Sequence, residues 1–241
     1  LGRVTSFFDP NSNTTTFVFG SNPSSSQIVD KPTQVLFADG STRKFEYNEF
    51  GQVSRTIDEN GYETTFVTDS IGRLLKQQDH LGNEITYQYE AQNLISATDP
   101  LGNVTKFEYD DASQLIRRID PLGGVTLFSY DALGRLITET DALGRTTTIT
   151  YCTCGSVSSI TDPAGNITSF EYDLSGNRTA VISPLGQRTS FVYDALGRLT
   201  KRIDPLGNIE TFVYDTVDNL IETTDRNGRG RRFNYYPLNQ L

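Results

Sequence analysis

From Arg198 to Ile203 polar and apolar residues alternate, and "IETFVYD" at 209–215 alternates again. A two-residue period is the signature of a half-buried β-strand, because successive side chains point to opposite faces. Between the two runs lies "DPLGN" (204–208), whose Pro and Gly preset or permit turn dihedrals. The second run ends in "YD" and a second turn. The pattern therefore predicts a β-hairpin, and it offers no 3.6-residue period or trustworthy helix start.

The hairpin recurs. "YDALGRL" stands at 130–136 and again at 193–199, three steps of 21 residues apart. Steps of 21 from Tyr130 land on Tyr151, Tyr172, Tyr193, Tyr214 and Tyr235. Backwards they reach Tyr109, then Tyr89 after a unit one residue short, then Thr68 and Tyr47. A bulky apolar residue stands two positions before each: Phe45, Phe66, Tyr87, Phe107, Phe128, Ile149, Phe170, Phe191, Phe212 and Phe233. Aspartate recurs ten residues before most of them, with Ser183 the exception, and glycine three residues after that. Such self-similarity predicts a repeat architecture. The fold expected is all-β: about ten 21-residue hairpin units joined into an antiparallel meander.

The same period assigns faces. Phe128 and Tyr130, Phe170 and Tyr172, Phe191 and Tyr193, and Phe212 and Tyr214 should each share a face. These eight are expected to stack in columns as a stabilising ladder, since cross-strand aromatic pairs contribute roughly 0.2–1 kcal/mol each. The Asp of "YD" should accept backbone N–H groups at the turn entrance. Arg135 and Arg198 lie four residues after Asp131 and Asp194, a spacing that suits a cross-turn ion pair.

Phe19 fills a tyrosine position, yet Tyr47 follows it by 28 residues. An irregular insertion near 20–46, including "GSNPSSS" at 20–26, is expected to protrude as a loop. Otherwise residues 1–241 read as one repeat array. Both ends fall in phase with the repeat, "LGRV" at the start and "YYPLNQL" at the finish, so a window of a longer chain is expected.

Composition narrows the function. The 241 residues are 36% hydrophobic with a net charge of −9, which suits a sheet with one wet face. The acidity argues against nucleic acid, which needs a basic footprint. No run of 18 apolar residues suggests a membrane span. His80 is the single histidine and replaces Pro in a "DPLGN" turn, so no ordinary catalytic triad can be placed. The turn aspartates recur in nearly every unit, unlike the unique carboxylate pair of a glycosidase. They also lack the dense Asp/Asn/Gly loop of a calcium motif. No catalytic residue, metal ligand or cofactor site is therefore assigned. Asn13, Asn103, Asn166 and Asn177 begin N-x-[ST] triplets, two of them merely the turn-to-strand sequence "GN[VI]T".

One unit differs in chemistry. "YCTCG" stands where others read "YDALG", placing Cys152 and Cys154 two residues apart. Free thiols, a strained local disulfide, and a metal or intermolecular link all remain open from the spacing.

"YDALGRL", "DPLGN" and "FEYD" resemble the YD repeats of the RHS family along essentially the whole chain. That family includes bacterial polymorphic toxins, C components of insecticidal toxin complexes, wall-associated proteins and teneurins. The resemblance implies a long sheet that spirals into a shell or tube wall. In the toxin members the shell encloses a C-terminal toxic domain. It implies a structural, non-enzymatic scaffold, secreted or at the cell surface, most naturally of bacteria. The partners implied are neighbouring repeats, of this or another copy, and an enclosed toxin domain. Neither the family's self-cleaving core region nor a toxin is found within this sequence. The alternatives are a self-assembling filament or tube, and a binding module for surface carbohydrate or a receptor.

Overall fold

The computed structural model describes residues 5–8, 13–21 and 28–235. Most of the "GSNPSSS" segment, the first four residues and the last six lie outside them. The described residues form 22 strands and no helix. The chain divides into two compact segments, Leu1–Gly124 and Val125–Leu241.

The first segment holds β1 (Ser6–Phe8), β2 (Thr14–Ser21), β3 (Ile28–Leu36), β4 (Thr42–Tyr47), β5 (Val53–Ile57) and β6 (Glu63–Thr68). It continues with β7 (Leu74–Gln78), β8 (Glu84–Glu90), β9 (Asn93–Thr98), β10 (Val104–Tyr109) and β11 (Leu115–Ile119). Each strand pairs antiparallel with the next.

The second segment repeats the plan. It holds β12 (Val125–Tyr130), β13 (Leu136–Thr140), β14 (Thr146–Tyr151), β15 (Val157–Thr161), β16 (Ile167–Tyr172) and β17 (Arg178–Ile182). Then come β18 (Arg188–Tyr193), β19 (Leu199–Ile203), β20 (Ile209–Tyr214), β21 (Leu220–Thr224) and β22 (Gly230–Arg232). It too is a pure antiparallel meander.

From β10 to β21 six-residue strands rich in Thr, Val, Phe and Tyr alternate with five-residue strands, as β-propensity favours. In most units the pairing slips by one residue at the tyrosine. Tyr214 faces Leu220 where the preceding pair is Val213 with Glu222, so Ile221 is the extra residue of a bulge. Equivalent slips occur at Tyr47, Thr68, Tyr109, Tyr130, Tyr151, Tyr172 and Tyr193. Bulges increase local twist and bend the strand that carries them.

The unit that is one residue short owes this to its turn. Tyr89 pairs with Leu94 and Glu90 with Asn93, which leaves Ala91 and Gln92 as a two-residue loop. Ala91 carries a positive φ of 48° there. The deletion falls in the turn, so the strands keep their register.

There is no thick core. Among the described residues the buried apolar side chains are Val35, Tyr47 and Ala180. The face bearing Phe and Tyr is half-buried, whereas Val67, Leu127, Val192 and Val213 on the opposite face are exposed. Ion pairs tie that exposed face across strands. Arg55 of β5 bridges Glu46 and Glu63 on its two neighbours. Arg188 of β18 holds Glu171 of β16 in a bidentate pair across β17. Ala180 of β17 lies in register with Glu171 and Ser190, and the pair covers it completely.

Candidate functional site

The recurring site is the turn, and its chemistry is local. In the turn at 131–135, Asp131 N–H donates to the Arg135 carbonyl (2.9 Å) and Gly134 N–H to the Asp131 carbonyl (3.0 Å). Asp131 Oδ1 accepts Leu133 N–H (2.9 Å) and Arg135 N–H (3.0 Å). Its Oδ2 accepts Arg135 Nε (2.8 Å). Gly134 sits at φ 77°, a conformation that L side chains adopt only with strain.

The opposite turn of the unit uses the same lock. At 162–166, Asp162 Oδ1 accepts Ala164 N–H (2.9 Å) and Asn166 N–H (2.8 Å), and Oδ2 accepts Asn166 Nδ2 (2.8 Å). So "YDALGR" and "DPLGN" are two spellings of one turn, differing in whether Arg or Asn closes the carboxylate. The closing group holds each carboxyl below its usual range. For Asp131 the first cause is the Arg135 side chain, and for Asp162 the Asn166 amide, with backbone N–H groups next in both.

The expected cross-turn ion pairs form. Arg135 meets Asp131 at 2.6 Å and Arg198 meets Asp194 at 2.7 Å. The guanidinium then reaches the next unit: Arg135 lies 4.2 Å from the Tyr151 ring centroid and Arg198 4.9 Å from that of Tyr214. Arg198 also donates to the Asp215 carbonyl (3.0 Å) and pairs with Asp218 (2.6 Å).

The tyrosines act through their hydroxyls. Tyr151 Oη donates to the Leu136 carbonyl (2.8 Å), Tyr172 to Val157 (2.9 Å) and Tyr193 to Arg178 (3.1 Å). Tyr47 donates to Pro32 (2.7 Å) and Tyr235 to Leu220 (3.0 Å). Each acceptor is the residue paired with the tyrosine-position residue of the preceding unit: Leu136 with Tyr130, Val157 with Tyr151, Arg178 with Tyr172. Every anchor therefore grips the bulge of the unit before it. Period-two reasoning missed this, because the reach depends on the slip in pairing.

Equivalent residues lie two strands apart, about 9.6 Å. Side chains of the intervening strand separate them. Phe128 faces Glu139, Phe170 faces Val181, Phe191 faces Arg202 and Phe212 faces Thr223. Tyr130 and Tyr214 lie opposite Leu136 and Leu220. Arg178 stands between Phe170 (5.9 Å) and Phe191 (5.5 Å).

Cys152 and Cys154 are joined by a disulfide, with Cα atoms 5.1 Å apart. His80 stacks on Tyr62, ring centroids 4.1 Å apart. Among the described residues no three His, Cys, Asp or Glu converge as a metal site.

The RHS Repeat family model matches residues 69–104, 90–125, 109–146, 130–151, 155–188, 175–209 and 193–231. The chain belongs to the RHS-repeat family. This RHS-repeat chain is similar in fold to TcdB2-TccC3, with a TM-score of 0.60 and 15% identity over 94% of its length. It is likewise similar to TcdB2-TccC3 without its hypervariable C-terminal region, with a TM-score of 0.62 and 17% identity over 94%. It spans 18% and 15% of those two chains respectively. No curated protein matches the RHS-repeat sequence. Its scaffold character is structural: the conspicuous chemistry of each unit is spent on holding the next.

Proposed function

We propose that this chain is a length of wall in an RHS-repeat shell that encloses a C-terminal toxin or effector domain. Residues 1–241 are read as one repeat array. The observation that carries the proposal is the tyrosine anchor, made alike at Tyr47, Tyr151, Tyr172, Tyr193 and Tyr235. It binds each of these units to its predecessor and asks nothing of a ligand. The Phe and Tyr residues of the ladder then serve to hold the wall's thickness. The half-buried aromatic face and the exposed face would divide lumen from exterior. The resident partners are other repeats and the enclosed domain, in a bacterial protein that is secreted or at the cell surface. The wall itself is not an enzyme.

A second reading is a self-assembling tube or filament. It is favoured by leucines that stand exposed on turns in consecutive units, such as Leu174 and Leu196, and Leu185 and Leu206. Rows of this kind invite edge-to-edge association. Electron cryomicroscopy of the native full-length particle separates the two. Hollow closed particles with internal density support the shell. Open tubes with an axial repeat would overturn it in favour of assembly.

A further inference from the structure

The unit at 151–156 keeps the common turn with different chemistry. Cys152 N–H donates to the Ser156 carbonyl (2.9 Å) and Gly155 N–H to the Cys152 carbonyl (3.0 Å). These are the bonds that close the Asp131 turn, at 2.9 and 3.0 Å. Gly155 has the same positive φ, 88°. The backbone therefore forms this turn whether or not the sulfurs are joined. The disulfide closes over Thr153 alone, and the smallest loops restrict the unfolded chain least. It adds little as a staple.

Its position is what distinguishes it. In the aspartate turns the first residue places an anion where the N–H groups of the third and fifth residues converge, as Leu133 and Arg135 do on Asp131. Here the third and fifth residues are Cys154 and Ser156, and Cys152 stands at the aspartate's position. Convergent backbone N–H groups form an anion-binding nest. A thiolate of Cys152 would occupy it. Cys154 is exposed, and Cys152 is half-buried.

We propose that Cys152–Cys154 is a thiol–disulfide exchange site for low-molecular-weight thiols of the glutathione class. A small thiolate attacks the exposed Sγ of Cys154, and the S–S bond breaks. Its electron pair leaves on Cys152 Sγ, which the nest receives. A second small thiolate attacks the small-thiol sulfur of the mixed disulfide and releases Cys154. One protein disulfide and two small thiols become two protein thiols and one small disulfide. The protein is reduced, the small thiol is oxidised, and the two thiol protons pass to the cysteines. The reverse sequence re-forms the bond. Exchange is fastest when the leaving thiol is the better stabilised anion, which assigns Cys152 as the leaving sulfur.

The test equilibrates the full chain in graded mixtures of reduced and oxidised glutathione, followed by alkylation and mass spectrometry. The pair should convert to two free thiols with the far-UV β-sheet spectrum unchanged. A pair that stays oxidised in excess reduced glutathione, or opens only as the sheet spectrum is lost, overturns the proposal. Two single-cysteine variants read the nest directly through alkylation rate against pH. At pH 7 the thiolate fraction of Cys152 in C154S should be roughly tenfold that of Cys154 in C152S. Coincident profiles would remove the anion nest and the proposal with it. The double variant C152D/C154A should fold with an ordinary aspartate turn, and its misfolding would show that the turn does need the disulfide.

Discussion

The Asp162 carboxylate accepts three hydrogen bonds within five residues, all from groups that the turn itself presents. Asp162→Ala should lower the urea midpoint and raise amide exchange at Ala164 and Asn166 before it does so elsewhere. The acid response has a definite sign. The carboxyls of Asp99, Asp131, Asp141, Asp162 and Asp173 are all held below the ordinary value when folded. Their contribution is present above the unfolded pKa of about 3.9 and is lost as pH falls through the lowered folded values. A urea midpoint that is flat from pH 7 to 5 and drops below about pH 4 is expected. Glycine at the fourth turn position is a matter of φ alone. Gly165 has φ 83° and nothing within 4 Å of where a Cβ would stand. Gly165→Ala should cost about 1–2 kcal/mol by equilibrium unfolding, with no clash to relieve. Ser113 occupies the same position at φ 60°. Ser113→Gly should therefore stabilise by about 1 kcal/mol, less its hydrogen bond from Asn93.

At the scale of the hairpin, the tyrosine hydroxyl is the element that couples units. Tyr172→Phe keeps the ring and removes the donor to Val157, and should cost about 1 kcal/mol in equilibrium unfolding. Exchange protection should fall around Val157 and Tyr172 together, since the bond joins them. The hairpins and turns were legible in the sequence because their causes are local. Asp, Gly and the closing Arg or Asn act within five residues, and strand alternation needs only its own period. The anchor was not legible, because Tyr172 and Val157 are 15 residues apart and meet only through a bulge that no residue announces. The short unit was visible as a missing residue between Tyr89 and Tyr109, but not its location at Ala91 and Gln92. For Cys152 and Cys154, spacing left three chemistries open, and the turn around them was needed to see what the sulfurs replace.

For the molecule as a whole, each strand within either segment contacts its sequence neighbours. Stability in such an array is a sum of unit and nearest-neighbour terms. Deleting residues 152–172 removes one whole unit and joins Tyr151 to Asp173, which restores the ordinary "YD" turn. The shortened chain should keep its β-sheet spectrum, and its urea m-value should fall in proportion to the length removed. Deleting 152–162 removes a single strand with its turn and should disrupt folding, because every later strand would then run the wrong way.

The nearest-neighbour anchors also have a mechanical meaning. Pulled from its two ends, a meander whose units grip only the unit before does not fail all at once. It peels at the loaded end, one tyrosine bond and one hairpin at a time. Each hairpin of 21 residues releases about 70 Å of slack before the next is loaded. Such a chain dissipates work in even steps and stays folded beyond the point of failure, so a tear in it advances by single units.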